Sequence, residues 1–307
     1  MSNPKPAPHG WIILDKPRGL GSTQAVGAVK RNLREGGFAK TKVGHGGTLD
    51  PLAEGVLPIA LGEATKLAGR MLDASKVYDF TLKFGEETST LDTEGDVDAT
   101  SDVRPSLDQI EAVLPQFTGP IEQVPPAFSA LKVDGKRAYD LARAGEEVNL
   151  KTRAVTIHSL TIAEGPHARD EVTLTAHVSK GTYIRSLARD IARALGSVGH
   201  VTYLRRTKAG PFLEEQAISL DKLNEIAIGA QLSDLLLPLE AGLDDIPALH
   251  LDKTDAQAVQ QGRVLSGMPQ PSGLYCAMLD LRPVALMEIL DGTAKVVRGF
   301  NLPDVAE

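Results

Sequence analysis

Cysteine is almost absent from this chain of 307 residues, in which Cys276 is the only one. A single cysteine excludes an intrachain disulfide and a zinc site built from cysteines, and it fits a reducing cytosol. Long apolar runs are absent too, because no stretch approaches the roughly 20 residues that a membrane-spanning helix needs. Residues 1–9 are polar and proline-rich, without the apolar centre of a signal peptide. We therefore expect a cytoplasmic protein whose residues 1–9 form a disordered tail.

Motifs for cofactors and metals are also missing. The glycine-rich run at 44–47 fails the dinucleotide pattern, because Leu49 stands where the third glycine belongs, and no Gly-Lys-Ser/Thr phosphate loop occurs. Acidic residues at 92, 94, 96 and 98 imitate the start of a calcium loop, but Val97 and Val103 occupy its essential glycine and glutamate positions. We expect neither a metal nor a cofactor.

Positive charge is in deficit over the whole chain, which has 33 lysines and arginines against 40 acidic residues and a net charge of −7. An acidic chain argues at first against nucleic acid as a partner. The basic residues are concentrated, however: residues 1–49 hold eight against two acidic ones, and residues 180–208 hold seven against one. Because local potential steers an anionic ligand, these two segments keep nucleic acid open as a partner. A solvated basic face is the commoner explanation of each segment taken alone.

The most informative stretch is residues 44–58, where four glycines, two prolines and one histidine surround Asp50. Such a run cannot form a regular helix or an uninterrupted strand, because glycine permits unusual backbone angles and each proline removes a donor. It predicts a shaped loop that holds Asp50 before the apolar residues 56–61, and catalytic residues are often carried on such loops. An Asp-Pro pair taken alone is more often a helix cap.

The same stretch closely resembles the G-H-T-G-T-L-D-P-x-A-x-G-V-L-P signature of the TruB-type tRNA pseudouridine synthase family. Residues 125–139 resemble its P-P-x-x-S-A-x-K-x-x-G-x-R-x-Y block, and residues 180–187 its K-G-T-Y-I-R-[ST]-L block. With residues 10–17 and 200–206, the blocks follow the family order. One departure is Gly46, which stands where many members carry threonine, so that a hydroxyl is missing beside the loop.

The resemblance implies a synthase that isomerises the T-loop uridine of tRNA, conventionally position 55, to pseudouridine. Uracil leaves its ribose and rejoins it through carbon, so nothing is added overall and no cofactor is needed. By the family pattern, Asp50 is the nucleophile, Arg185 is its ion partner and Tyr78 stacks on the flipped uracil. From the residues alone, an arginine on the surface of a helix is an equally good interpretation of Arg185. A half-buried tyrosine in a strand is the better interpretation of Tyr78.

The family pattern also implies a set of substrate-binding residues. They are His45, Gly47, Lys66, Lys132, Arg137, Tyr183 and Leu204. By this pattern, His45 takes the place of the extruded nucleotide in the stack of T-loop bases. Residues 125–153 form a basic arm that closes over the tRNA T-arm. Without the resemblance, His45 is a loop cap, Lys66 a solvated helix lysine and the arm a solvated helix-loop segment.

Periodicity predicts an α+β fold. Apolar alternation and short apolar runs predict strands at 10–15, 56–61, 77–84, 153–163, 171–179 and 198–206, and helical spacing predicts helices at 22–34, 63–72, 105–117 and 183–195. Because no regular βαβ repeat occurs, we expect a mixed, largely antiparallel sheet in a catalytic domain at 10–240. Residues 246–303 hold short strand-like runs punctuated by glycines, and they resemble the family's small β-rich, PUA-like C-terminal domain.

Three alternatives to this synthase stay open. They are a non-catalytic tRNA-binding or tRNA-folding protein, a guide-RNA-dependent dyskerin-like synthase, and an aspartate-dependent hydrolase that acts on nucleotides. The resemblance favours the T-arm of tRNA as the partner of a monomer that has no obligate protein partner and no membrane contact.

Overall fold

A sheet of nine strands organises most of the molecule in the computed structural model, which describes residues 4–129, 131–133, 135–146, 148, 150–228 and 231–302. The strands are β1 (Gly10–Lys16), β2 (Val43–His45), β3 (Glu54–Leu61), β4 (Lys76–Phe84), β5 (Glu86–Thr88), β6 (Val97–Thr100), β7 (Gly119–Gln123), β8 (Lys132–Val133), β9 (Lys136–Arg137), β10 (Arg153–Ile162), β11 (Glu171–Val178), β12 (Gly199–Ala209), β13 (Phe212–Leu213), β14 (Ala248–His250), β15 (Leu265–Ser266), β16 (Gly273–Leu279), β17 (Arg282–Leu290) and β18 (Thr293–Gly299). The helices are α1 (Ser22–Glu35), α2 (Ala68–Asp73), α3 (Leu107–Val113), α4 (Ala138–Arg143), α5 (Ile184–Ala194), α6 (Leu220–Asn224) and α7 (Lys253–Gln260).

The large sheet has the strand order β1-β3-β12-β4-β11-β10-β7, and β2 and β13 pair with β3 and β12. Its strand pairs are antiparallel except for β12 with β3. The predicted α+β class with a mixed, largely antiparallel sheet is therefore confirmed. The pairing of β4 with β12 sets Arg206 opposite Tyr78, which brings the second basic segment next to the predicted stacking residue.

The core lies between this sheet and α5. Phe80 of β4 and Leu174 of β11 are fully buried, and Leu187 and Ile191 of α5 belong to the same apolar cluster. Burying a side chain of this size stabilises the fold by about 1.5–3 kcal/mol. The helix ends at Ala194, and Gly196, two residues later, has a φ of +72° in the left-handed region that is typical just after a helix. Because α5 contacts β4 and β12, its first turn lies near the centre of the sheet.

Two predicted helices are α-helical over only part of their length. The segment predicted at 63–72 is a 3₁₀ turn over Gly62–Leu67 before α2 begins. The helix predicted at 105–117 starts with a capping box on Ser106 but becomes a 3₁₀ turn over Leu114–Phe117. Proline at position 115 has no N–H to donate, which ends the α-helical ladder there.

Residues 4–9, within the segment predicted as a disordered tail, make contacts with other parts of the chain. Lys5 pairs with Phe38 in an isolated β-bridge. Nδ1 of His9 accepts a hydrogen bond from the N–H of Glu63 at 3.0 Å. These contacts place the segment along the region between α1 and the turn that precedes α2.

A second sheet of five strands, in the order β14-β16-β17-β18-β15, forms the C-terminal part together with α7. It shares an apolar cluster with the first sheet, and the members of this cluster include Trp11, Leu286 and Phe300. The predicted β-rich, PUA-like C-terminal part is confirmed, whereas the boundaries 10–240 and 246–303 stay predictions. In the part of the chain that the structure describes, no helix is long and apolar enough to span a membrane.

Candidate active site

A pocket of about 350 Å³ opens beside Asp50. Pockets that bind small ligands commonly have volumes of about 300–1,000 Å³. Its walls come largely from the loop at 47–53, from β4, from the residues around the start of α5, and from β12. Among its lining residues are Gly47, Asp50, Tyr78, Tyr183, Arg185 and Leu204.

The loop that carries Asp50 is held in place by α1. Oγ of Ser22 donates to the carbonyl of Leu49 at 2.9 Å and accepts from its N–H at 2.8 Å. Gly47 has a φ of +137°, which a residue with a side chain rarely adopts. Gly21, and not Ser22, occupies the N-cap position of α1. The Ser22 hydroxyl is therefore available to fix the loop.

Asp50 and Arg185, which lie 135 residues apart in the chain, form an ion pair. Nη2 of Arg185 lies 2.8 Å from Oδ2 of Asp50. The side chain of Arg185 is 7% exposed and that of Asp50 is 41% exposed, so the carboxylate faces the pocket with the guanidinium buried behind it. A guanidinium remains charged when buried and orients a carboxylate in a defined plane. The structure thus brings together the two residues that the sequence paired.

Arg185 also binds a second carboxylate, which sequence reasoning missed. Its Nη1 lies 3.1 Å from Oδ2 of Asp92, a side chain that is 2% exposed. Oδ1 of Asp92 accepts from the Thr90 hydroxyl at 2.5 Å and from the N–H of Glu94 at 2.9 Å. Asp92 is therefore fixed through both oxygens and in turn fixes Arg185. The sequence marked it only as part of an imitated calcium loop, because a partner 93 residues away leaves no local pattern.

Arg206 in β12 is a second buried arginine of the pocket and is 1% exposed. Its Nε donates to the carbonyl of Val56 at 2.8 Å, and its Nη2 to that of Gly47 at 3.2 Å. Its guanidinium lies 6.0 Å from the centre of the Tyr78 ring. Arg206 therefore connects both ends of the Asp50 loop to Tyr78. The sequence placed it in a family block but assigned it no role.

Two buried lysines hold the backbone around the pocket. Nζ of Lys16 donates to the carbonyls of Leu20 at 2.7 Å and Pro17 at 3.0 Å. Nζ of Lys76 donates to carbonyls at the end of α2, including that of Leu72 at 2.8 Å. Burial lowers the pKa of each lysine to about 8, and the charge of Arg206 acts in the same direction. Neither lysine was assigned a role from the sequence.

Tyr183, which precedes α5, is held by Gln123. The N–H of Tyr183 donates to Oε1 of Gln123 at 3.0 Å, and Nε2 of Gln123 donates to the Tyr183 carbonyl at 3.4 Å. Gln123 is 1% exposed. Because α5 begins at the next residue, Ile184, these two bonds fix the turn that carries Arg185.

The predicted substrate-binding residues fall in different places. Gly47, Tyr183 and Leu204 line the pocket. His45 lies at the end of β2, where its Nδ1 accepts from the N–H of Gly47 at 3.4 Å, and burial lowers the pKa of its imidazole. Lys66 lies elsewhere, at the contact between the two sheets. Its Nζ is 2.6 Å from Oε2 of Glu63 and 2.9 Å from the carbonyl of Gly299.

The predicted arm at 125–153 is only partly described. The described residues form β8, β9 and α4. The side chains of Lys132 and Arg137 lie outside the described part, so their contacts with RNA stay predictions. Within the described residues, no cluster of histidine, cysteine, aspartate or glutamate is arranged to hold a metal ion.

Two family models together match residues 35–244. The TruB family pseudouridylate synthase (N terminal domain) matches residues 35–184, and the tRNA pseudouridylate synthase B C-terminal domain matches residues 185–244. The tRNA pseudouridine synthase B of Novosphingobium aromaticivorans is 69% identical over 97% of this chain and 99% of its own length. That of Caulobacter vibrioides is 50% identical over 96% of this chain and 97% of its own. The chain belongs to the TruB family of pseudouridylate synthases.

Solved structures with the same fold are more distant in sequence. A chain in the structure of an H/ACA RNP bound to a substrate RNA containing 2′-deoxyuridine has a TM-score of 0.73 at 26% identity, over 97% of this chain and 86% of that one. A chain of the archaeal box H/ACA sRNP Nop10–Cbf5 complex has a TM-score of 0.71 at 26% identity, over 97% of this chain and 88% of that one. These similarities support the fold and the family.

Proposed function

We propose that this chain is a tRNA pseudouridine synthase that isomerises the T-loop uridine at position 55. The observation that carries the proposal is the contact of 2.8 Å between Arg185 and the pocket-facing carboxylate of Asp50. It lies in a pocket that is also lined by Tyr78, the residue expected to stack on the base. The names of these two relatives agree with this activity.

The proposed reaction begins when the T-arm binds and the target uridine leaves its helix. Its uracil stacks on the ring of Tyr78, and the Asp50 carboxylate adds either to the base or to the anomeric carbon. The bond from N1 to the ribose breaks, the bond from C5 to the ribose forms, and the bond to Asp50 breaks again, which restores its carboxylate. The C5 proton leaves and N1 gains a proton. Arg185 orients the Asp50 carboxylate for this addition, and Asp92 behind it holds Arg185 in place.

We further propose that the chain acts as a cytoplasmic monomer without an obligate protein partner. The alternative of a guide-RNA-dependent synthase is favoured by the fold similarity to chains of H/ACA complexes at 26% identity. The relative at 69% identity, named for tRNA, favours the autonomous enzyme more strongly.

The test is release of tritium from a T-arm stem-loop labelled at C5 of its uridines, with the purified chain alone. The proposal expects release that matches one target uridine per RNA. No release until other proteins or a guide RNA are added would support the guide-dependent alternative. Binding of the stem-loop without tritium release would support a non-catalytic tRNA-binding protein, and free uracil in the products would support a hydrolase.

A further inference from the structure

The hydroxyl of Ser129 is a buried polar group without a hydrogen-bond partner. Ser129 is 4% exposed, and its Oγ has no partner among the described residues. It also lines the pocket beside Asp50. Buried hydroxyls in folded proteins are nearly always paired, because an unpaired one loses its bonds to water and gains nothing in return. An orphan hydroxyl at a pocket wall therefore indicates a partner that arrives with a ligand.

The backbone of Ser129 is fixed, in contrast to its side chain. Its N–H donates to the carbonyl of Ala127 at 3.0 Å, and its carbonyl accepts from the N–H of Tyr139 at 3.1 Å. The preceding residue, Phe128, accepts a bond of 3.0 Å from Nη2 of Arg185, the same nitrogen that binds Asp50. Ser129 therefore directly follows the residue whose carbonyl binds Arg185, the arginine of the ion pair with Asp50.

A second hydroxyl, that of Tyr183, stands close by. Burial raises the pKa of Tyr183, and the negative charge of Asp50 acts in the same direction, so the phenol remains neutral. The Ser129 hydroxyl acts in the opposite direction and lowers the pKa of Tyr183, so the two hydroxyls are near each other. Their arrangement does not meet the geometry of a hydrogen bond. The pocket therefore presents two neutral hydroxyls next to a carboxylate.

We propose that Oγ of Ser129 donates a hydrogen bond to an oxygen of the bound uridine, and this inference rests on the proposed function. A uridine offers such acceptors in its two uracil carbonyls and in its ribose 2′-hydroxyl. A serine hydroxyl rotates to suit its acceptor, and the apolar residues Leu131 and Leu204, which line the same pocket, help to exclude water from it. Ser129 is then a substrate-binding residue whose bond is completed only in the complex.

The test is Ser129→Ala, measured for kcat/KM on the T-arm stem-loop and for Tm without RNA. Loss of one bond to substrate should lower kcat/KM about tenfold. Tm should stay constant or rise, because the folded chain loses an unsatisfied group. The matched control is Ser197→Ala, another buried serine, whose Oγ donates to the carbonyl of Val103 at 2.9 Å. That variant should lower Tm and leave kcat/KM unchanged.

A second substrate identifies the acceptor. If Ser129 binds the ribose hydroxyl, wild type and Ser129→Ala should have equal kcat/KM on a stem-loop with 2′-deoxyuridine at the target position. If it binds a uracil carbonyl, the tenfold difference should persist on that RNA. Either result supports the proposal.

The inference is overturned by an unchanged kcat/KM of Ser129→Ala on the natural RNA. It is also overturned by a fall in Tm like that of the control, which would give Ser129 a structural role. A wild-type chain with no activity would instead contradict the proposed function itself, and the inference would fall with it.

Discussion

Gly46 and Met71 pack so closely that a Cβ on residue 46 would lie 2.6 Å from the Cβ of Met71 and 3.1 Å from its Cγ. Met71 belongs to α2 and is 4% exposed, so it has little room to move. The glycine that stands where the family pattern has threonine is therefore required by its neighbour. This contact gives a physical reason for the one departure that the sequence revealed.

Gly46→Ala should destabilise the protein by about 1–3 kcal/mol, because the added methyl overpacks a filled site. In a Met71→Gly background the same change should cost much less, since both the Cβ and the Cγ that the added methyl would meet have been removed. Denaturant unfolding of the four proteins in this cycle measures the difference. Gly44→Ala is the matched control, because a Cβ there meets nothing within 4 Å. Equal costs of Gly46→Ala in both backgrounds would refute the packing argument.

Asp92→Asn should lower kcat about 10- to 100-fold, with a smaller effect on KM. The change removes the buried negative charge that holds Nη1 of Arg185, and small misplacements of a catalytic group are costly. Asn can still accept bonds from Thr90 and Glu94, so the fold should lose only about 1–3 kcal/mol. Asp98→Asn, on the exposed strand β6, is the control and should change neither quantity. A drop confined to KM would show that Asp92 does not position the ion pair.

The free energy of unfolding should rise between about pH 8 and pH 10.5 through Lys16 and Lys76. Each has a pKa of about 8 in the folded chain against 10.5 when unfolded. In this window the unfolded chain binds more protons, so rising pH favours the folded state by at most about 1.4 kcal/mol per pH unit for each lysine. Lys76→Met should flatten the rise, whereas Lys295→Met, at an exposed position, should not. An unchanged slope in Lys76→Met would contradict the predicted titration.

Lys66→Met should destabilise the protein by about 1–2 kcal/mol and leave kcat/KM within about twofold of wild type. Its ammonium binds Glu63 and the carbonyl of Gly299, which joins the two sheets, and not the pocket. Steady-state kinetics and thermal unfolding measure the two effects, with exposed Lys253 changed to Met as the control. A tenfold loss of kcat/KM at unchanged Tm would instead place Lys66 at the substrate, as the family pattern implied.

Some residues at the pocket surface could be predicted from the sequence, because they belong to dense local patterns. Glycines and prolines around Asp50 mark the loop, and alternation around Tyr78 marks the strand. Asp92 and Ser129 could not be assigned, since their importance comes from contacts across the fold. The family pattern placed Lys66 near the site, but in the structure its ammonium reaches the second sheet.

The long elements of the fold were predictable for a similar reason. The strands predicted at 10–15 and 171–179 are observed as β1 and as β11, which ends at Val178, because their apolar pattern repeats over many positions. The short strands β2 and β7 have too few residues to form a pattern, and pairing with long neighbours creates them. The turn at Gly62–Leu67 shows the limit of helical spacing, which does not distinguish a 3₁₀ turn from an α-helix.

Asp50→Asn on a C5-tritiated T-arm stem-loop tests the central claim most directly. The account predicts that tritium release falls by at least about 10³-fold, because the nucleophile is gone. RNA affinity should stay close to that of wild type, since phosphate contacts dominate binding. Asp98→Asn should behave as wild type in both assays. Product formation by Asp50→Asn at a rate comparable to wild type would contradict the account.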